Sequence, residues 1–317
     1  MSSSFRIGRL GGVDVDANWT WVIVLAVVVW SLAAGVFPNT NPGLPAATYL
    51  AMAFVASLLF FASIVLHELG HVRQARREGM EVDGVTLWAL GGVARFSSMF
   101  PSAGAELRVA VAGPVVSLVL GGVCVAVSTT LRLGAAVDGV TAWLGYTNLL
   151  LLGFNLIPAL PLDGGRVLRA LLWHVRGDLS WATTVAARAG VVIGAVMIAV
   201  GFGGGLAGGP GALWIAFVGV FVLVAGRAEA QAVALRASLA GLRVGDAMAP
   251  SRIGGAPPPG LPRVDADADL ATAVVALLQT AGGLAAVVQD GELVGFVDAI
   301  RIARGAADRR PAGLVRS

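Results

Sequence analysis

Six separate stretches of this chain are apolar over lengths near the roughly 20 residues an α-helix needs to cross the hydrocarbon core of a bilayer. They run from Asn18 to Phe37, Ala47 to about His71, Leu107 to Leu131, Val140 to about Leu160, Ala189 to Gly201 with flanking turns, and Ala212 to Gly226. Lipid offers backbone N–H and C=O groups no water to bond, so such runs must satisfy those groups internally, as helices. The expected fold class is therefore an α-helical polytopic membrane protein of about six transmembrane helices. Composition agrees, with 57% hydrophobic and only 13% charged residues among the 317, against roughly 25% charged in soluble domains. An ordinary soluble enzyme is not expected, and disorder is excluded by the apolar content.

All 22 basic residues are Arg, set against 19 acidic ones, for a formal net charge of +3. A basic chain invites a nucleic-acid reading, but these arginines sort by loop, as residues held on the cytoplasmic side of a membrane do. Arg6 and Arg9 precede the first run, and Arg73, Arg76, Arg77 and Arg95 follow the second. Arg166, Arg169, Arg176 and Arg188 lie between the fourth and fifth, and Arg227 and Arg236 follow the sixth. The opposite loops, 38–46, 132–139 and 202–211, hold only Arg132. This asymmetry predicts a multi-pass protein of the cell membrane with both termini cytoplasmic, the lipid bilayer as its surroundings and no nucleic-acid partner. The first apolar run starts late and is long enough to span, so a cleavable signal peptide is not expected. Cys124, the single cysteine, reads as a small buried residue.

The composition shifts near Arg236. Beyond it come Pro257-Pro258-Pro259-Gly260, acidic spacing at Asp265, Asp267 and Asp269, a helix-like run at 270–278, and strand-like runs at 285–288 and 293–297 joined by Asp290-Gly291. An Asp-Gly pair between apolar runs signals a hairpin. Two domains are expected: a transmembrane domain over 1–236 and a small cytoplasmic α/β module with a loose tail over 237–317.

The second run ends in His67-Glu68-Leu69-Gly70-His71. Residues four apart share a helix face, so both imidazoles can reach one metal ion, and Glu68 stands beside the first ligand where it can polarise a metal-bound water. Ionisable groups inside a span are costly and usually functional. A catalytic zinc takes three protein ligands and keeps one open position. His174, the only other His, lies among surface-type residues and reads as a solvated interfacial group. Asp163 is the better third ligand. It sits in Asn155-Leu156-Ile157-Pro158-Ala159-Leu160-Pro161-Leu162-Asp163-Gly164-Gly165, where two prolines break the helix and two glycines allow close backbone approach. Broken backbone at membrane depth is tolerated only where it is buried in protein or lines a cavity. Glu81, Asp83, Glu106 and Arg108 read as interfacial charges.

With these motifs the chain resembles the site-2 protease family of intramembrane zinc metalloproteases (peptidase family M50), over roughly residues 5 to 230. The resemblance rests on His-Glu-Leu-Gly-His at 67–71, the Asn-x-x-Pro-x-x-Pro-Leu-Asp-Gly-Gly run at 155–165, Gly91-Gly92-Val93-Ala94 and Ala112-Gly113-Pro114. It implies one zinc per chain on His67, His71 and Asp163, Glu68 as catalytic base, and a membrane-spanning protein as substrate, cut within or near its transmembrane segment in regulated intramembrane proteolysis. It implies for Asn155 a contact to substrate or oxyanion; from the residues alone Asn155 could equally bridge broken backbone. It also implies that an extended substrate segment pairs with a β element, here 85–96.

Arg243–Met248, Asp269–Ala273 and Gly291–Val297 resemble one cystathionine-β-synthase (CBS) repeat. Such repeats work in pairs, which implies a homodimer formed through this module. Asp298 and Arg301 occupy the places where those repeats usually carry a Thr and an acidic residue, and an acid would repel a phosphate, so nucleotide binding is not expected. A second class stays open on the residues: a non-enzymatic membrane transporter or binding protein with a CBS regulatory module.

Overall fold

In the computed structural model, residues 4–10, 12–88, 91–96, 100–209, 211–239, 241–251, 255, 257–258, 261–268, 270, 277 and 283–298 are described. The side chains of Asp83 and of most of 87–99, together with Asp269, the run 271–276 and Arg301, lie outside the described residues. The chain divides into two units, Met1–Glu229 and Ala230–Ser317.

The first unit opens on a hairpin, β1 (Ser4–Leu10) antiparallel to β2 (Val13–Asn18). Val13 and Val15 point inward, while Asp14 and Asp16 alternate outward to meet Arg6. Asn18 then caps the first span by accepting the Thr20 N–H at 3.0 Å. That span is continuous from Trp19 to Thr40 as α1 (Trp19–Ser31), a π-helical turn (Leu32–Val36) and α2 (Phe37–Thr40).

α3 (Ala46–Arg77) is 32 residues, about 48 Å at 1.5 Å per residue. Its buried positions, from Ala53 and Ala56 through Phe61 and Ile64 to His67, His71 and Ala75, form one stripe at spacings of three and four. The helix stops at Glu78-Gly79, where Gly79 takes φ +78° and the Met80 N–H returns to the Ala75 carbonyl at 3.0 Å. The chain then re-enters the sheet as β3 (Val82–Trp88) and β4 (Gly91–Phe96), giving the order β1-β2-β3-β4 with β2 and β3 parallel. Val13 and Val85 of the sheet pack on Val72 of α3, so the sheet lies against the end of α3 that carries the two histidines.

α4 (Ala103–Thr130) and α5 (Ala135–Asn155) follow, then a non-helical stretch, then α6 (Asp163–Arg176), α7 (Leu179–Leu206) and α8 (Ala212–Leu239). Five of these segments are long and apolar enough to cross a membrane: Trp19–Thr40, Ala46–Arg77, Ala103–Thr130, Leu179–Leu206 and Ala212–Gln231. Six were expected; the sixth, α5, packs antiparallel along α4, with Gly121 against Leu149 and Gly145 against Val125, and so returns the chain towards Asp163. The remaining candidate, α5, has 21 residues and so the length, but Asp138, Thr141, Thr147 and Asn148 dilute its apolar content. It also ends at Asn155 rather than running to Leu160, because Pro158 and Pro161 cannot continue it. α7 and α8 run well past the expected 189–201 and 212–226. Their glycines weaken the apolar signal but let the helices meet closely: a Cβ on Gly194 would come within 2.8 Å of the Gly219 carbonyl.

The second unit holds a sheet of order β5-β8-β7-β6, from β5 (Ala249–Pro250), β6 (Arg263–Asp265), β7 (Leu284–Gln289) and β8 (Glu292–Asp298). The expected hairpin is present, with Asp290 at φ 52° and Gly291 at φ 85° in its turn. A short helix, α9 (Val244–Ala247), contributes to a core that includes Leu239, Leu242, Val264, Val287 and Val297.

Candidate metal centre

His67 and His71 leave α3 on its buried stripe and are each 3% exposed; Asp163, the first residue of α6, is 8% exposed. Their donor atoms converge. His67 Nε2 lies 3.2 Å from His71 Nε2 and 3.1 Å from Asp163 Oδ2, and His71 Nε2 lies 3.3 Å from Asp163 Oδ1. Two nitrogens bound at about 2.0–2.1 Å in a tetrahedron stand roughly 3.3–3.4 Å apart. The separation found is close to that which zinc imposes. Among the described residues this is the one His/Cys/Asp/Glu group arranged to hold an ion.

The other ring nitrogens are engaged by α4. His71 Nδ1 donates to the Val109 carbonyl at 2.7 Å, and His67 Nδ1 pairs with Ser117 Oγ at 2.9 Å. A carbonyl only accepts, so the His71 proton sits on Nδ1 and its Nε2 lone pair faces the cluster, the tautomer a metal requires. Between Val109 and Ser117 on the same helix face is Gly113. A Cβ there would collide with His71 Nε2 and stand 2.6 Å from His67 Nε2. The space in front of the two Nε2 atoms is open because α4 has no side chain at that point.

Asp163, the third of the converging side chains, is placed by the broken segment. After α5 the chain turns through 156–162, with a cis bond at Leu160-Pro161. Ala159 and Leu160 are fully buried, and Leu162 nearly so. Gly164 and Gly165 tuck α6 under the preceding turn; Cβ atoms there would strike the Leu156 and Ile157 carbonyls and the Leu160 N–H. The Leu160 carbonyl is held in turn between Gly190 of α7 and Gly226 of α8, within 2.8 and 2.7 Å of where their Cβ atoms would be.

Glu68 is half-buried beside the cluster. β4 passes over it: a Cβ on Gly92 would lie 2.5 Å from Glu68 Cγ and 3.1 Å from Oε1. Asn155 closes α5 eight residues before Asp163 and is half-buried; among the described residues it makes no hydrogen bond to the three converging side chains. His174 is exposed, as expected. Arg108 is an exposed charge, as expected, paired through two 2.7 Å hydrogen bonds with Glu78. Glu106 is a correction: it is 0% exposed, bound to a buried Arg169. Sequence reasoning also passed over Val109 and Ser117. The one signal is a four-residue repeat of small or polar positions, Gly113, Ser117 and Gly121, along an otherwise apolar helix, with Val109 one turn before it.

The model of peptidase family M50 matches residues 55–137 and 129–201. Among curated proteins, Rip3 of Mycobacterium tuberculosis, named as a zinc metalloprotease, is 41% identical over 252 residues, 78% of this chain and 64% of its own length. The Synechocystis protein sll0528, also named as a zinc metalloprotease, is 34% identical over 254 residues, 79% of this chain and 66% of its own length. The chain thus spans about two thirds of the length of these relatives. A solved structure, the site-2 protease from Methanocaldococcus jannaschii, aligns at 29% identity over 72% of this chain and 95% of that chain, with a TM-score of 0.49. The family match and the named relatives support membership of peptidase family M50.

Proposed function

We propose that this chain is a zinc metalloendopeptidase of family M50, the site-2 proteases, and that it cleaves a membrane-spanning protein within or near its transmembrane segment. The observation that carries the reading is the convergence of His67, His71 and Asp163, from two helices, beside Glu68. A transporter or binding protein needs no such donor set with a free carboxylate at its edge, and the family match speaks against it.

Bound zinc supplies a Lewis acid that polarises the scissile carbonyl and acidifies the attacking water. The protein does the rest. Glu68 takes the water's proton and passes it to the leaving amine. The Val109 carbonyl keeps His71 in the ligating tautomer, and Ser117 holds the orientation of the His67 ring. Asn155 is assigned the contact to substrate or to the developing oxyanion. β4 is an edge strand, so an unwound substrate segment can add to it as a further strand, which presents its peptide bonds over Glu68 at Gly92.

His67 lies ten residues before Arg77, about 15 Å along α3. With Arg73, Arg76 and Arg77 at the cytoplasmic surface, this depth supports chemistry just inside the cytoplasmic leaflet, both termini in the cytoplasm, and a role in regulated intramembrane proteolysis. The second unit is read as a CBS-like module that dimerises two chains and does not bind nucleotide. Its β7–β8 hairpin with β6 parallel to β7 supports the α/β module alone.

The test is Glu68→Gln beside Asp163→Ala, expressed in cells and compared with wild type by quantitative membrane proteomics. Glu68→Gln retains about one zinc per chain and accumulates uncut substrate; Asp163→Ala loses the zinc. Undiminished cleavage in Glu68→Gln, or purified wild-type protein without zinc, refutes the reading.

A further inference from the structure

Glu106 is the most deeply buried acid among the described residues, at 0% exposure, and Arg169 beside it is 5% exposed. Arg169 Nε donates to Glu106 Oε1 at 2.7 Å, and Arg169 Nη1 donates to Glu229 Oε1 at 3.1 Å. One guanidinium therefore joins α4, α6 and α8. Glu106 Oε2 is buried without a partner, so the carboxylate's side-chain hold on its neighbours passes through Arg169.

Such a pair is a weak means of stabilising a fold, since apolar residues of the same volume do as well or better once desolvation is counted. What a guanidinium fork supplies is direction, because its planar donors fix the approach of a carboxylate. The direction has a use here. Glu106 is one turn before Val109, which orients His71, and two turns further along α4 Ser117 orients His67. Arg169 is six residues along the helix that Asp163 opens.

We infer that Arg169 is a positioning residue: through Glu106 it registers α6 on the helix that orients both histidines, and so fixes where the Asp163 carboxylate meets them. α4 then aligns all three ligands, two by hydrogen bonds to their rings and the third by an ion pair down its helix. Glu229 closes the fork from α8 and, being half-exposed, is the lesser arm. The inference rests on the zinc peptidase reading.

Because a broken buried pair destabilises, the decisive variant replaces both partners: Glu106→Leu with Arg169→Met. Arg169→Lys is the second variant, keeping the charge and losing the fork. Purified protein in detergent is assayed for zinc affinity by chelator competition, for the visible spectrum of the cobalt-substituted form, and for the Tm of the metal-free form. The double variant is expected to keep a metal-free Tm near wild type while its zinc affinity falls about 10- to 100-fold, the usual effect of removing a group that orients a ligand. Its cobalt spectrum should shift, and Arg169→Lys should fall in the same direction. Zinc affinity and cobalt spectrum equal to wild type in either variant overturn the inference. Wild-type protein that binds no zinc instead removes the reading beneath it, and the two failures are told apart in the same titration.

Discussion

Adding one methyl group at Gly113 should empty the metal site without unfolding the protein. The Cβ of Gly113→Ala would stand 2.6 Å from His67 Nε2 and nearer still to His71 Nε2. Ordinary contact begins near 3.4 Å, so the His67 ring must retreat by about 0.8 Å, against the roughly 0.2 Å latitude of a metal–ligand distance. Retreat also strains the bonds from Nδ1 to Ser117 and from Nδ1 to Val109. Four-ligand structural zinc sites bind with about 10–16 kcal/mol, so one ligand is worth roughly 3–4 kcal/mol, two to three decades in affinity. Helix propensity works the other way, since Ala is favoured over Gly by about 1 kcal/mol in a helix interior. Gly122, on the same helix, supplies the control, because a Cβ there meets nothing within 4 Å. Zinc content by elemental analysis and affinity by chelator competition should show Gly113→Ala weakened at least about 100-fold and Gly122→Ala unchanged, both with intact helical circular dichroism. A Gly113→Ala protein that binds zinc within a factor of about 10 of wild type would show that the cradle is not where the ion sits.

Gly92→Ala presses on Glu68 rather than on the ligands, so kcat should fall by about 10²-fold or more while zinc content holds, read by peptide-bond cleavage in detergent beside metal analysis. Asn155→Ala should lower kcat by about 10²- to 10³-fold with zinc retained if its amide meets the oxyanion, and by far less if it only bridges backbone. Glu78 tests pH linkage. Hydrogen bonds from Arg108 hold its carboxyl down at about 2, from 4.5. A depressed folded-state value stabilises above the unfolded one and is lost on acidification. The Tm difference between wild type and Arg108→Gln should therefore be full at neutral pH and close as pH falls from 4.5 towards 2.

The convergence of His67, His71 and Asp163 was legible because its signals are local. His67 and His71 are one turn apart, and Asp163 follows a Pro-broken run that a lipid-facing helix would not tolerate. The β3–β4 element was reached through the family resemblance rather than a local signal, whereas Asp290-Gly291 announced the β7–β8 hairpin directly. Other features left no local mark. Glu106 and Arg169 are 63 residues apart, each a lone charge in a basic or apolar context, and only the packing of α4 on α6 makes them a pair. The ends of α7 and α8 were misread because glycine lowers both apolar content and helix propensity, whereas in lipid it marks where helices touch. The N-terminal hairpin carried a readable period-two pattern in Val13-Asp14-Val15-Asp16 that the search for long apolar runs passed over.

The hold of α4 on the two imidazoles bears on how the site comes into being during synthesis. Ribosomes deliver chain from the N-terminus, so both rings and the groups that hold them, Val109 and Ser117, are made before Asp163. The third side chain is held in place only when the glycines of α7 and α8 have closed around the Leu160 carbonyl. Metal capture would then report completed insertion, and a chain stalled before its last two helices would leave the ribosome inert.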